Sequence, residues 1–240
     1  MAIAIRGTTP GLTAGVGDPT SVTLTGARQP QTGDVLLIIH CNDYYTLSAI
    51  PTATVAGSTS GVVAVTNGSA DGGSSQGHAK SWTYVVGSTG DLTVAVDETG
   101  TADEEKCLLV YVLSGVDTTT PVDVAGALND ALVTTGEWKA PSISPTSSDA
   151  FLICHANSGA GLWWGTPLTH PGDMTETVDT SAGVGMSIGG AVKQLSASGA
   201  TGDKSFLGSS NTNPGVSISV AMKTAGGSAF TPRSMLLGVG

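Results

Sequence analysis

Asp34-Val35-Leu36-Leu37-Ile38-Ile39-His40-Cys41-Asn42 and Asp149-Ala150-Phe151-Leu152-Ile153-Cys154-His155-Ala156-Asn157 align without a gap, with Asp, Leu, Ile, His and Asn coinciding. Each is a short, nearly continuous apolar run, the pattern of a strand covered on both faces. An aromatic pair follows each copy, Tyr44-Tyr45 or Trp163-Trp164, and then a proline, Pro51 or Pro167. Much later comes a second apolar run, Cys107 to Leu113 or Val216 to Met222. Recurrence in the same order reads as an internal duplication.

Shorter strands surround these runs. In Val216-Ser217-Ile218-Ser219-Val220-Ala221-Met222-Lys223 the apolar residues alternate with small or polar ones, which predicts a half-buried strand. Leu92 to Asp97 and Ser81 to Val86 read similarly, whereas Val35 to Ile39 and Cys107 to Leu113 are apolar on both faces and predict central strands. Turn residues separate them at Pro30-Gln31-Thr32-Gly33-Asp34, Asn67-Gly68, Gly87 to Asp91 and Ser198 to Asp203. Val124 to Val133 reads as a short helix or as an irregular connection, since Gly126 and Asn129 lack a clear cap. The expected fold is an all-β, antiparallel, double-sheet β-sandwich, jelly-roll-like, built from two sequence-related halves at about 21–117 and 134–223. One sandwich over residues 1–223 is favoured over two small ones, because Thr118 to Pro145 carries Val122, Val124, Leu128, Leu132 and Trp138, which a flexible linker would not. Residues 224–240 form a C-terminal arm after that body.

Composition narrows the function. The 240 residues are enough for a hydrophobic core, and the 34 glycines, about twice the usual share, suit many turns between short strands. Nine basic against nineteen acidic residues leave a net charge of −10, which repels a phosphate backbone and argues against nucleic acid. No basic cluster suits an anionic membrane surface, and no apolar run approaches the ~20 residues needed to span one. The start, Met1 to Gly7, lacks the basic and apolar regions of a secretory signal. Cys41, Cys107 and Cys154 each sit in an apolar run, and an odd, widely spaced set argues against a disulfide framework or a zinc site and fits folding in a reducing cytoplasm.

Catalytic patterns are weak. Gly185-Met186-Ser187-Ile188-Gly189 matches a nucleophile elbow, but no helical stretch follows and all four histidines precede Ser187. Asn67, Ser69, Asp71 and Gly72 imitate the start of a calcium loop, yet the twelfth position is His78 in place of a bidentate carboxylate, and a solvated turn is expected. Asp103-Glu104-Glu105 is one acidic loop, unable to flank a glycosidic bond from two sides. His40 and His155 occupy equivalent repeat positions, where a symmetric metal or glycan site competes with the ordinary outcome, a ring bonded to backbone or to Asn42 or Asn157. No catalytic residue, metal or cofactor is expected.

Three pieces in order carry a resemblance: Gly33-Asp34-Val35-Leu36-Leu37-Ile38; Val110-Tyr111-Val112-Leu113-Ser114-Gly115-Val116-Asp117 with Pro121-Val122-Asp123; and Pro141-Ser142-Ile143-Ser144-Pro145-Thr146 with Trp164 and Pro171-Gly172-Asp173-Met174-Thr175. From about Ser21 to Lys223 the chain resembles a β-sandwich module of tailed-bacteriophage structural proteins, the minor tail or decoration proteins. It departs from them at Ile50-Pro51-Thr52-Ala53, where their Pro-Gly-Trp element is missing. The resemblance implies a place in the virion, assembly in many copies with other virion proteins, and no catalytic residues; such a protein is made in the host cytoplasm.

Two groups of residues are candidates for contact. Tyr44, Tyr45, Trp163 and Trp164 offer flat rings to a host-surface glycan or a protein partner, or else cover the end of the sandwich. In the arm, Phe230, Met235, Leu236 and Leu237 follow a glycine hinge and are expected to pack on the body or on a neighbouring copy, or to fray.

Overall fold

The computed structural model describes residues 2–7, 11–16, 20–42, 51–71, 76–98, 105–130, 136–159, 169–182, 186–208 and 215–226. Apart from one 3-10 turn, Gly26–Arg28, the regular elements among them are strands. The first nine are β1 (Ala4–Ile5), β2 (Gly11–Val16), β3 (Thr20–Leu24), β4 (Val35–Asn42), β5 (Thr52–Val55), β6 (Val63–Asp71), β7 (Gln76–Val85), β8 (Leu92–Asp97) and β9 (Glu105–Ser114). The others are β10 (Val122–Asp130), β11 (Glu137–Ala140), β12 (Phe151–Gly159), β13 (Thr175–Ala182), β14 (Met186–Gln194), β15 (Lys204–Leu207) and β16 (Gly215–Met222). The antiparallel all-β sandwich expected from alternation and turn spacing is the fold observed.

Among the described residues the sandwich has four sheets where the sequence pointed to two. A large sheet runs β1-β9-β4-β7-β6, with β2 also on β9, and a second runs β10-β16-β12-β14-β13. A three-stranded sheet, β3-β8-β5, and a two-stranded sheet, β11-β15, complete the set. The pairings of the first half return in the second. β9 lies between β2 and β4 as β16 lies between β10 and β12; β4 takes β7 as β12 takes β14; β3 takes β8 as β11 takes β15. Both outer hairpins carry a bulge, between Ala64 and Thr66 in one and between Glu176 and Val178 in the other. Even the β5–β8 pairing has a counterpart, the single bridge from Thr169 to Leu207.

Side-chain parity decides the layering. Val35, Leu37, Ile39 and Cys41 of β4 and Cys107, Leu109, Tyr111 and Leu113 of β9 face one core, whose other wall is Phe151 and Ile153 of β12, Val192 of β14 and Val216, Ile218 and Val220 of β16. The alternate residues Leu36, Ile38, Leu108 and Val110 face Leu24, Val55, Val94 and Val96 of the three-stranded sheet. On the far side, Leu152, Cys154 and Ala221 meet Trp138 and Phe206 of the two-stranded sheet. The two large sheets therefore pack against each other, and each is covered outside by its own small sheet. That explains why β4 and β9 are apolar on both faces, since each fully buried aliphatic side chain contributes roughly 1.5–3 kcal/mol.

Three expectations change with this layering. β16 is buried along its whole length, Ser217 and Ser219 included, because a sheet covers each face; the alternation that suggested a wet side marks the thin Trp138 and Phe206 layer instead. Of Val124 to Val133, read as helix or irregular connection, the described part lies in the edge strand β10, with Gly126 and Asn129 paired to β16. Asn67 and Asp71, read as a solvated turn, belong to strand β6, paired to β7.

Both halves end together. Val116 bridges Thr224, and the Asp117 amide donates to the Lys223 carbonyl, joining the chain just beyond β9 to the chain just beyond β16. The turn that permits this has Gly115 at φ 80°, where a side chain would also press on the Ala2 carbonyl oxygen at 2.8 Å.

Candidate functional site: a buried polar cluster at one end of the sandwich

At the opposite end the apolar layers give way to polar ones. Period two puts His40 and Asn42 on the face of Leu36 and Ile38, and Lys106 on the face of Leu108, so all three continue the core under the three-stranded sheet. Glu98, the residue after β8, meets them there. Asn42 Nδ2 donates to Glu98 Oε1 at 2.6 Å, His40 Nδ1 lies 3.2 Å from the same oxygen, and Lys106 Nζ lies 3.9 Å from Oε2. The His40 contact is at ion-pair distance but lacks hydrogen-bond alignment. Glu98 is 1% exposed, and His40 and Lys106 are fully buried. Burial pushes the Glu98 carboxyl up, but His40, Asn42 and Lys106 outweigh it and hold the group below its ordinary value.

His78, on β7 opposite Asn42, extends the cluster: its Nε2 lies 2.9 Å from Asn67 Oδ1. Lys80 Nζ donates to the Pro51 carbonyl at 3.0 Å and sits over the Trp82 ring, 5.1 Å from its centre. Behind this layer, between the two large sheets, His155 Nδ1 lies 3.9 Å from Cys41 Sγ. Asn157 Nδ2 donates to the His78 carbonyl at 3.4 Å, and the Val216 amide donates to Asn157 Oδ1 at 3.1 Å. One asparagine thus ties the first large sheet to the second.

The histidines that coincide in the sequence alignment do not point alike. His40 faces its own half's outer core, whereas His155 faces the partition between the halves. Val35, Leu37 and Ile39 of β4 share the central core with Phe151 and Ile153 of β12, so the inward residues of the two strands differ by an even number. The gapless alignment has an odd offset of 115, and a one-residue slip sends a strand side chain to the opposite face. Neither ring takes the expected partner, backbone or the following asparagine, among the contacts of the described residues; their neighbours are Glu98 and Cys41.

A carboxylate beside an imidazole can relay a proton to a group that reaches it. In this cluster the pair is sealed, and the carboxylate charge is met by Asn42 and Lys106, the arrangement of a clamp holding β8 against the ends of β4 and β9. Sequence reading singled out neither Glu98 nor Lys106. The available signal was Lys106 itself, a charge at the inward position next to an apolar run.

The other candidates disperse. Ser187 lies in strand β14, not in a turn between a strand and a helix. Glu105 opens β9, while Asp103 and Glu104 lie outside the described residues. Tyr44, Tyr45, Trp163 and Trp164, and likewise Phe230, Met235, Leu236 and Leu237, also lie outside them. Among the described residues no group of three or more His, Cys, Asp or Glu side chains is arranged to hold a metal ion, and no helix is long and apolar enough to cross a membrane. Comparison with protein-family models, with curated proteins and with solved structures found no match for this chain.

Burial sets a pH dependence. It pushes the imidazole of His78 down to about 4 and that of His155 down to about 3. An unfolded histidine titrates near 6.5, so below that pH the unfolded chain binds protons that the folded chain refuses, and stability falls as pH falls. The loss starts near the unfolded value and continues to about 4 for His78 and about 3 for His155. Urea unfolding at pH 7, 6, 5 and 4 is expected to show a decline on the order of a few kcal/mol, with a shallower slope in His155→Leu. An unchanged slope in that variant would remove His155 as a source.

Proposed function

We propose that this chain is a structural protein of a bacteriophage particle, a minor tail or capsid decoration protein that works by assembling with other virion proteins and with copies of itself. The observation that carries the reading is the repeated strand pairing, which stacks two like halves into a four-layer body with its central strands covered on both faces. Such a body resists deformation because each central strand has a packed layer on either side. Its most polar interior groups are spent on holding layers together, and its net charge of −10 favours solubility before assembly over contact with nucleic acid. We read each half as a jelly roll, a large sheet opposed by a small one, and the chain as that unit present twice. Closed symmetric assembly is the usual way for a chain of this kind to associate with its copies.

Mass spectrometry of purified particles tests the reading: the chain is expected at a fixed copy number relative to the other virion proteins, and its absence would overturn the proposal. A second reading, a carbohydrate-binding adhesin, is favoured by one feature. β4 and β12 finish at the same end, where Asn157 bonds to His78 opposite Asn42, and in the sequence Tyr44-Tyr45 follows the one strand and Trp163-Trp164 the other. Binding on a glycan array that is lost in Trp163→Ala and Trp164→Ala would favour the adhesin; no signal from the parent chain leaves assembly alone.

A further inference from the structure

Three cysteines far apart in sequence become, in the fold, one pair and one isolated thiol. Cys41 of β4 and Cys107 of β9 are directly opposite each other in the antiparallel ladder. Both side chains point into the core between the two large sheets. Residues placed that way have Cα atoms about 4.5–5.5 Å apart, inside the span of about 4.4–6.8 Å that a disulfide bridges. Cys154 faces the opposite core, under the two-stranded sheet, with its sulfur 3.6 Å from Ser219 Oγ, and a sheet separates it from the other two. All three are free thiols here.

We propose that Cys41 and Cys107 are a covalent modification site, joined as a disulfide when the folded protein meets an oxidising small-molecule disulfide, which ties β4 to β9 at the polar end of the sandwich. The thiolate of one cysteine attacks the small disulfide, forming a mixed disulfide and releasing one small thiol. The second cysteine attacks the protein sulfur of that intermediate and releases the other small thiol. Two protein thiols and one small disulfide become one protein disulfide and two small thiols, so protons and electrons balance. Only a thiolate attacks, and both sulfurs are fully buried, where burial holds each thiol protonated. Reaction therefore waits for opening of the strand ends. The pair lies one register step from the last pair of the β4–β9 ladder, Asn42 with Lys106, so parting of that one end exposes it without unfolding the whole sheet. His155 Nδ1, 3.9 Å from Cys41 Sγ, is the polar neighbour able to take the departing proton once water enters.

The chemistry does not depend on the virion reading, which adds only the timing: a chain made in a reducing cytoplasm and released into an oxidising medium would close the bond after release. Purified protein incubated with oxidised glutathione, then denatured and titrated for thiols, is expected to fall from three thiols to one. Peptide mapping should link Cys41 to Cys107 with Cys154 free, and dithiothreitol should restore all three. Urea below the unfolding midpoint should speed closure, because opening is rate-limiting. In Cys41→Ser and in Cys107→Ser no link between two protein cysteines should form, and the remaining member of the pair should go no further than the mixed disulfide with glutathione. Three thiols after prolonged oxidation, a bond that includes Cys154, or a bond between two chains would overturn the proposal. Closure in the purified protein together with its absence from particles would count against the virion reading alone.

Discussion

Replacing Glu98 with alanine is expected to cost about 3–5 kcal/mol of folding stability, the price of breaking a buried ion pair from one side. The carboxylate faces both His40 and Lys106, and Lys106 is fully buried. Without it the fully buried Lys106 loses a carboxylate beneath the three-stranded sheet, and Asn42 Nδ2 loses its acceptor. Thermal and urea unfolding of Glu98→Ala read the loss directly. The paired variant Glu98→Leu with Lys106→Met should recover most of it, because replacing both partners by apolar groups removes the stranded charge. A Glu98→Ala protein as stable as the parent would show that the cluster is solvated and that the clamp does not exist.

Tyr111→Ala is expected to cost a similar amount, about 3–5 kcal/mol, as large-to-small changes of buried aromatic residues do. Tyr111 comes from β9 in the first half, is fully buried, and its Oη lies 2.8 Å from Thr177 Oγ1 in the second half. A Cβ on Gly190 would lie 2.9 Å from that Oη, so the ring fills a space that a glycine in β14 leaves open. Removing the ring opens a cavity between the two large sheets, the layer that makes one body of two halves. Tyr111→Phe keeps the packing and loses only the hydroxyl contact, at about 1 kcal/mol. If unfolding of Tyr111→Ala matches that of Tyr111→Phe, the layer between the halves bears little of the stability.

Much of the fold could be read from the residues. Val35–Ile39 and Cys107–Leu113 announced central strands, because a continuous apolar run suits a strand covered on both faces, and both lie inside the first large sheet. The recurrence of Asp149 to Asn157 announced its counterpart β12, central in the second. The polar cluster was not legible. Glu98 and Lys106 stand eight positions apart with an acidic stretch between them, and nothing local distinguishes a charge that a neighbouring sheet covers from one that water covers.

Alternation along a strand reports that its two faces differ and says nothing of what lies against each. Local chemistry therefore settled that this chain forms short antiparallel strands with thiols held in apolar runs. The stacking of four sheets settled the rest: that Ser217 and Ser219 are dry, that His40 and His155 look into different cores, that Glu98 meets Lys106, and that Cys41 meets Cys107. The physical reason is that burial and pairing belong to a surface and the element packed on it, and long-range contacts choose that element.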